Sequence, residues 1–134
     1  MDTIQEQEEL IAIGELAKSL NLTTRTLRYW EEAGLIEAAP RSEGSNRFYT
    51  KDISKRVRFI IKLKELGLTI QELQDLYIAY GEVKRTDRMI PALVNVLDRH
   101  INLVDEKMAR MASLRKDIVE YRQRMSSKID PGTL

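Results

Sequence analysis

Between residues 87 and 125 the sequence offers no helix stop, and its apolar side chains recur every seventh position. Ile90, Leu97, Val104, Met111, Ile118 and Met125 form one row, with Val94, Ile101 and Met108 interleaved as a second. Asp87 can cap such a helix, and Pro91 falls in its first turns, where a missing N–H is tolerated. At 1.5 Å per residue the helix is about 58 Å long, roughly twice the width of a domain this size. The remainder of the chain is too small to cover the stripe, so the pattern predicts a coiled coil with a second chain. Beyond Met108 the second row turns to Arg115 and Arg122, while Leu114 and Tyr121 shift the apolar face sideways. A uniform parallel zipper is poorly served by that change. An antiparallel pair suits it better, as does a seam with one end packed against the partner's globular part.

Upstream, "IAIGELAKSL" predicts a short helix from residue 11, with Ile13, Leu16, Ala17 and Leu20 at helical spacing. Asn21 stands where a tight turn needs a left-handed residue, and Thr23 is placed to cap a second helix that stops at Gly34. That helix, within "TTRTLRYWEEAGL", has two unlike faces. Arg25, Arg28 and Tyr29 share one; Leu27 and Trp30 point around to the other. Arginine can read guanine O6 and N7 with two parallel bonds or clamp a phosphate, and the helix N-terminal amides near Thr23 and Thr24 add an anion site. One face suits nucleic acid and the other a core.

Residues 36–49, with short apolar pieces around a Pro40 to Gly44 turn region, predict a two-stranded hairpin, which after two helices is a wing. A third helix follows Thr50 and stops at Gly67. A fourth opens on "TIQE", where Thr69 and Glu72 form a capping box, and ends near Gly81. Five segments result: an acidic N-terminal tail over 1–10, a winged helix-turn-helix with a second helix pair over 11–81, a linker over 82–88, the dimerisation helix over 89–126 and a tail over 127–134. The fold class is mainly α.

The formal charge of +1 conceals an asymmetry: residues 11–66 hold eleven bases against seven acids, whereas the first ten residues hold acids only. The chain has no cysteine, which excludes disulfides, iron–sulfur clusters and thiolate metal sites, and its lone histidine, His100, supports no His-rich metal site. No acid, base and nucleophile converge, so neither catalytic residues nor a cofactor are expected. The acidic start is unlike a signal peptide, and no apolar run is long enough to cross a bilayer. The expected location is the cytoplasm, with no membrane partner. Tyr77 and Tyr80 read as core residues first and as the lining of a small pocket second.

Four linked stretches, "IGELAKSLNLTTRTLRYWEEAGLI", Arg41, "NRFYTKDI" and "LKELGLTIQEL", resemble the DNA-binding domain of MerR-type bacterial transcription regulators, in order, over residues 11 to about 80. The resemblance implies a winged helix-turn-helix joined to an antiparallel coiled-coil homodimer that binds promoter DNA, with RNA polymerase nearby, and that bends and untwists the promoter spacer. Carried over by position, Thr24, Arg25 and Arg28 match recognition-helix contacts, and Tyr29 matches an aromatic near the backbone. Arg41, Arg47 and Tyr49 match wing residues, and Lys64 a basic position of the second helix pair. This chain departs from the pattern with Asn21 for a turn glycine, Trp30 for a tyrosine, and Asn46 for the tyrosine before the wing arginine; the Asn46 amide can still donate to phosphate. The region "DLYIAYGE" resembles members acting in fatty-acid or branched-chain catabolism, which implies an acyl-CoA-type effector. Two further readings stay open beside a promoter regulator: an architectural DNA-bending protein, and a coiled-coil protein–protein adaptor.

Overall fold

Local capping chemistry accounts for most of the element boundaries. The computed structural model describes residues 9–40, 42, 46–80 and 86–129; Arg41, the Gly44 turn, the stop at Gly81, most of the linker and the outer parts of both tails lie outside them. A short strand β1 (Leu10–Ala12) leads directly into α1 (Ile13–Ser19). Asn21 then takes a positive φ of 58°, the left-handed turn expected of it. Helix α2 (Thr24–Glu32) starts where the Thr23 hydroxyl accepts from the Thr26 amide at 3.1 Å. It ends at Gly34, whose φ of 81° suits a residue without Cβ.

Strand β2 (Phe48–Thr50) is followed by α3 (Lys51–Glu65), capped by the Thr50 hydroxyl on the Ile53 amide at 3.2 Å. Gly67, with φ of 99°, breaks the chain before α4 (Ile70–Tyr80). The capping box forms in both directions: the Glu72 amide donates to the Thr69 hydroxyl at 3.1 Å, and Glu72 Oε1 accepts from the Thr69 amide at 2.9 Å. Helix α5 (Thr86–Ser126) starts one residue before Asp87 and contains Pro91 in its second turn.

One expectation needs correction. The helix expected from residue 11 begins at Ile13, because Leu10, Ile11 and Ala12 pair antiparallel with Thr50, Tyr49 and Phe48. On its other side β2 faces the first arm of the expected hairpin, whose turn lies largely outside the described residues. On that side the described contact is the Ala39 amide donating to the Phe48 carbonyl at 2.8 Å, supported by the Ser42 hydroxyl, which accepts from the Phe48 amide at 3.0 Å.

The chain divides into two compact units, Met1–Leu93 and Val94–Leu134. The first closes around Leu16, Leu27, Leu35, Tyr49, Val57, Ile60, Leu68 and Leu73, all at most 1% exposed. In the second, α5 leaves Ile101, Val104, Met108, Met111 and Ile118 between 52% and 65% exposed. Ile90 and Val94 are also exposed, while Leu97 and Met125 are half-buried. No described helix is long and apolar enough to cross a membrane.

Candidate nucleic-acid interface

Helix α2 separates its two faces as the sequence requires. Leu27 (0% exposed) and Trp30 (5%) enter the core, and Tyr29 stands 51% exposed on the opposite side. Thr24, Arg25, Arg28 and Tyr29 together line one open groove, with Glu32 at its far edge. Thr23 is at the N-terminal end of the same helix, its hydroxyl engaged by the Thr26 amide. The groove thus offers two guanidinium groups, a phenol and a helix N-terminus to a ligand bearing phosphates and base-edge acceptors.

The wing residues reach α2 through a carboxylate that sequence reasoning missed. Glu31 Oε1 accepts from the Tyr49 hydroxyl at 3.0 Å, while Oε2 pairs with Arg47 Nη2 at 3.1 Å. Tyr49 is fully buried, so its ring presents no surface to a phosphate, and its hydroxyl serves the fold. Burial first, then the hydrogen bond to Glu31 and that residue's negative charge, push the Tyr49 phenol up to about 12; Arg47 and Arg28 pull the other way. The Arg47 Nε is buried without a hydrogen-bond partner among the described residues, and its side chain keeps 26% of its surface. Asn46, next to it, is exposed. Glu31 lies eighteen residues from Tyr49 in sequence, and no local spacing announces that pairing.

Two more contacts hold α2 in place or lie apart from it. Gln74 Nε2 on α4 donates to the Ala33 carbonyl at 2.9 Å and anchors the C-terminal end of α2. Lys64, expected among the DNA contacts, turns its Nζ to the Leu68 carbonyl at 3.2 Å and closes the turn between α3 and α4. Arg41 lies outside the described residues. Tyr77 and Tyr80 do line a pocket, with residues of α3 and the start of α5.

Comparison with known proteins agrees with this geometry. Residues 11–77 match the MerR HTH family regulatory protein model, and residues 54–121 match the MerR DNA-binding model. The chain is 33% identical over 123 residues to the HTH-type transcriptional regulator ZntR homolog of Haemophilus influenzae, spanning 91% of this chain and 89% of that protein. It is also 33% identical to the nodulation protein NolA of a Bradyrhizobium species over 77% of this chain, but spans only 39% of that longer protein. Among solved structures, the transcription regulator PbrR691 from Ralstonia metallidurans in complex with lead(II) superposes with a TM-score of 0.66 at 30% identity, covering 83% of this chain and 84% of that one. With a recognition-type helix carrying its cations outward, an arginine just before β2 held against it and both family models matched, the chain belongs to the MerR family of DNA-binding transcriptional regulators.

Proposed function

We propose that two copies of the chain, paired antiparallel through α5, bind an inverted repeat in promoter DNA and distort the base pairs between its half-sites. The observation that carries DNA reading is the division of α2: Leu27 and Trp30 are buried while Thr24, Arg25, Arg28 and Tyr29 line an open groove. Arg25 and Arg28 read base edges, and Arg47 with Asn46 grips the backbone, in the division of labour usual at such interfaces. Glu31 and Tyr49 are positioning residues that act through Arg47. RNA polymerase, acting at the same promoter, is the downstream partner.

Pairing is supported by the exposed stripe on α5. In an antiparallel register that sets Met108 opposite Met111 of the partner subunit, Ile101 faces Ile118 and Val94 faces Met125. Arg115 and Arg122 then fall opposite Val104 and Leu97, where their stems can lie along apolar surface and their guanidinium groups can reach water. An in-register parallel pair would instead set Arg115 against Arg115 and Arg122 against Arg122 at the seam. Like charges across an apolar interface cost stability, so the antiparallel arrangement wins. PbrR691 was crystallised with lead(II), but this chain has no cysteine, and no group of three or more His, Cys, Asp or Glu able to hold a metal occurs among the described residues. Metal sensing is not part of the reading.

Titration of operator and random duplexes over a range of salt tests the proposal. Arg28→Ala is expected to cost about 1–3 kcal/mol at the operator and little on random DNA. Arg47→Ala is expected to weaken both and flatten the salt dependence by about one unit of slope. Equal losses from both variants on both duplexes would contradict the division between reading and gripping. Salt-independent binding would favour the adaptor reading.

A further inference from the structure

Helices α3 and α4 line an open cavity of about 350 Å³, apart from the groove on α2. From α3 come Lys55, Arg56 and Phe59; from α4 come Tyr77 and Tyr80; Met89 closes it from the first turns of α5. All of these lie within the N-terminal unit. The Arg56 guanidinium carbon sits over the Tyr77 ring, 5.2 Å from its centroid. Neither Lys55 nor Arg56 makes an ion pair among the described residues. The one acid on the lining is Asp52, which is exposed, so the charged side chains sum to a single positive charge.

We propose that this cavity is a binding site for a small aromatic carboxylate, held by ring stacking on Phe59 and Tyr80 and by charge-assisted hydrogen bonds to Lys55 and Arg56. Its volume lies at the lower end of the range for small-molecule sites, enough for one or two rings. It cannot enclose an entire coenzyme A thioester, with its adenine, phosphates and pantetheine. A cationic ligand is disfavoured, because Arg56 already occupies the Tyr77 ring and two bases oppose one acid. Both walls also hold the recognition helix. Helix α3 follows directly on β2, whose Tyr49 bonds Glu31 in the last turn of α2, and α4 anchors the same C-terminal end of α2 through Gln74. A ligand that binds one spacing of α3 and α4 better than another therefore biases the orientation of α2, and DNA must bias ligand affinity by the same factor. This coupling rests on the DNA-reading proposal; the ligand site itself does not.

Calorimetry on the full chain without DNA tests the site, using 1-naphthoate, its uncharged analogue 1-naphthamide, inorganic phosphate and benzyltrimethylammonium as probes. One 1-naphthoate per chain is expected, bound at least about tenfold tighter than the amide. Arg56→Gln and, as a second and more exposed variant, Lys55→Gln are each expected to reduce that preference, while Tyr80→Ala weakens acid and amide alike. Equal binding of acid and amide, tighter binding of phosphate or of the quaternary ammonium, or no effect of either cation variant would overturn the proposal. Operator affinity measured with and without saturating 1-naphthoate tests the coupling, and an unchanged value would overturn it. Because the first measurement contains no DNA, its failure is distinct from a failure of operator binding.

Discussion

The two units of the chain use the same kinds of apolar residue in opposite ways. In the N-terminal unit Leu27, Tyr49, Val57, Ile60 and Leu73 lose essentially all contact with water; on α5, Ile101, Met108, Met111 and Ile118 keep more than half of their surface. The first unit closes its core from within one chain, by wrapping β1, β2 and four helices around each other. The second is a single helix, in which Val96 is buried but the stripe from Ile101 to Ile118 is not. Its stripe can be covered only by another surface, so the stability of the two units should respond to different variables: the first to its own packing, the second also to protein concentration. Trp30, the one tryptophan of the chain and 5% exposed on α2, makes the first unit observable by itself through fluorescence.

Breaking the first unit gives the largest expected effect. Leu27→Ala removes a fully buried side chain behind the recognition helix and is expected to cost about 2–5 kcal/mol, read as a lower denaturation midpoint by Trp30 emission. Dimer mass should be retained wherever the unit stays folded. A smaller loss, with the midpoint shifted no more than for a surface variant, would show that the core is not organised around this face.

Breaking the second unit is the complementary case. Met111→Glu sets a carboxylate opposite an apolar residue near the centre of the seam and is expected to weaken association by at least about 3 kcal/mol, more than a hundredfold in dissociation constant. Sedimentation should show monomer at micromolar concentration with the Trp30 midpoint of the first unit little changed. An unaltered dimer mass would place the seam elsewhere.

A smaller effect sharpens the comparison from inside the first unit. Tyr49 and Tyr77 ionise near 12, raised mainly by burial, so two of the five tyrosines should titrate late in alkaline absorbance. Because the folded values lie above the ordinary 10.0, these groups bind protons more tightly when folded. Their stabilisation is complete below about pH 10 and is lost as pH rises towards 12. Glu31→Gln keeps an acceptor for the Tyr49 hydroxyl but removes the negative charge, and should lower the Tyr49 value while leaving Tyr77 unmoved. A common shift of both, or of neither, would contradict the contribution assigned to Glu31 beside burial.

What could be read from the sequence follows the same division between local and distant. The caps at Thr23, Thr50 and Thr69, the turn at Asn21 and the stops at Gly34 and Gly67 rest on interactions within a few residues, and spacing alone announces them. The stripe on α5 is legible for the same reason. Strand β1 was not, because three apolar residues before a helix look like its first turn until Thr50 and Tyr49 arrive as ladder partners from forty residues away. Nor was the Glu31 bridge: an acid among the arginines of α2 reads as surface until the fold brings Arg47 and Tyr49 against it. Tyr49, expected among the wing contacts, shows the same limit, since burial engages it in the fold.

In the proposed pairing, α5 is completed by a second copy running the other way. The chain has no native cysteine, so Gln123→Cys, exposed and off the apolar stripe, gives one spin label per subunit. In the register that faces Met108 with Met111, the labelled backbones lie about 40 Å apart along the coil. A dipolar distance near that value, at concentrations where sedimentation gives the dimer mass, is the predicted result. A distance of about 10–15 Å, as a parallel pair requires, or a monomer with no dipolar coupling, would contradict it.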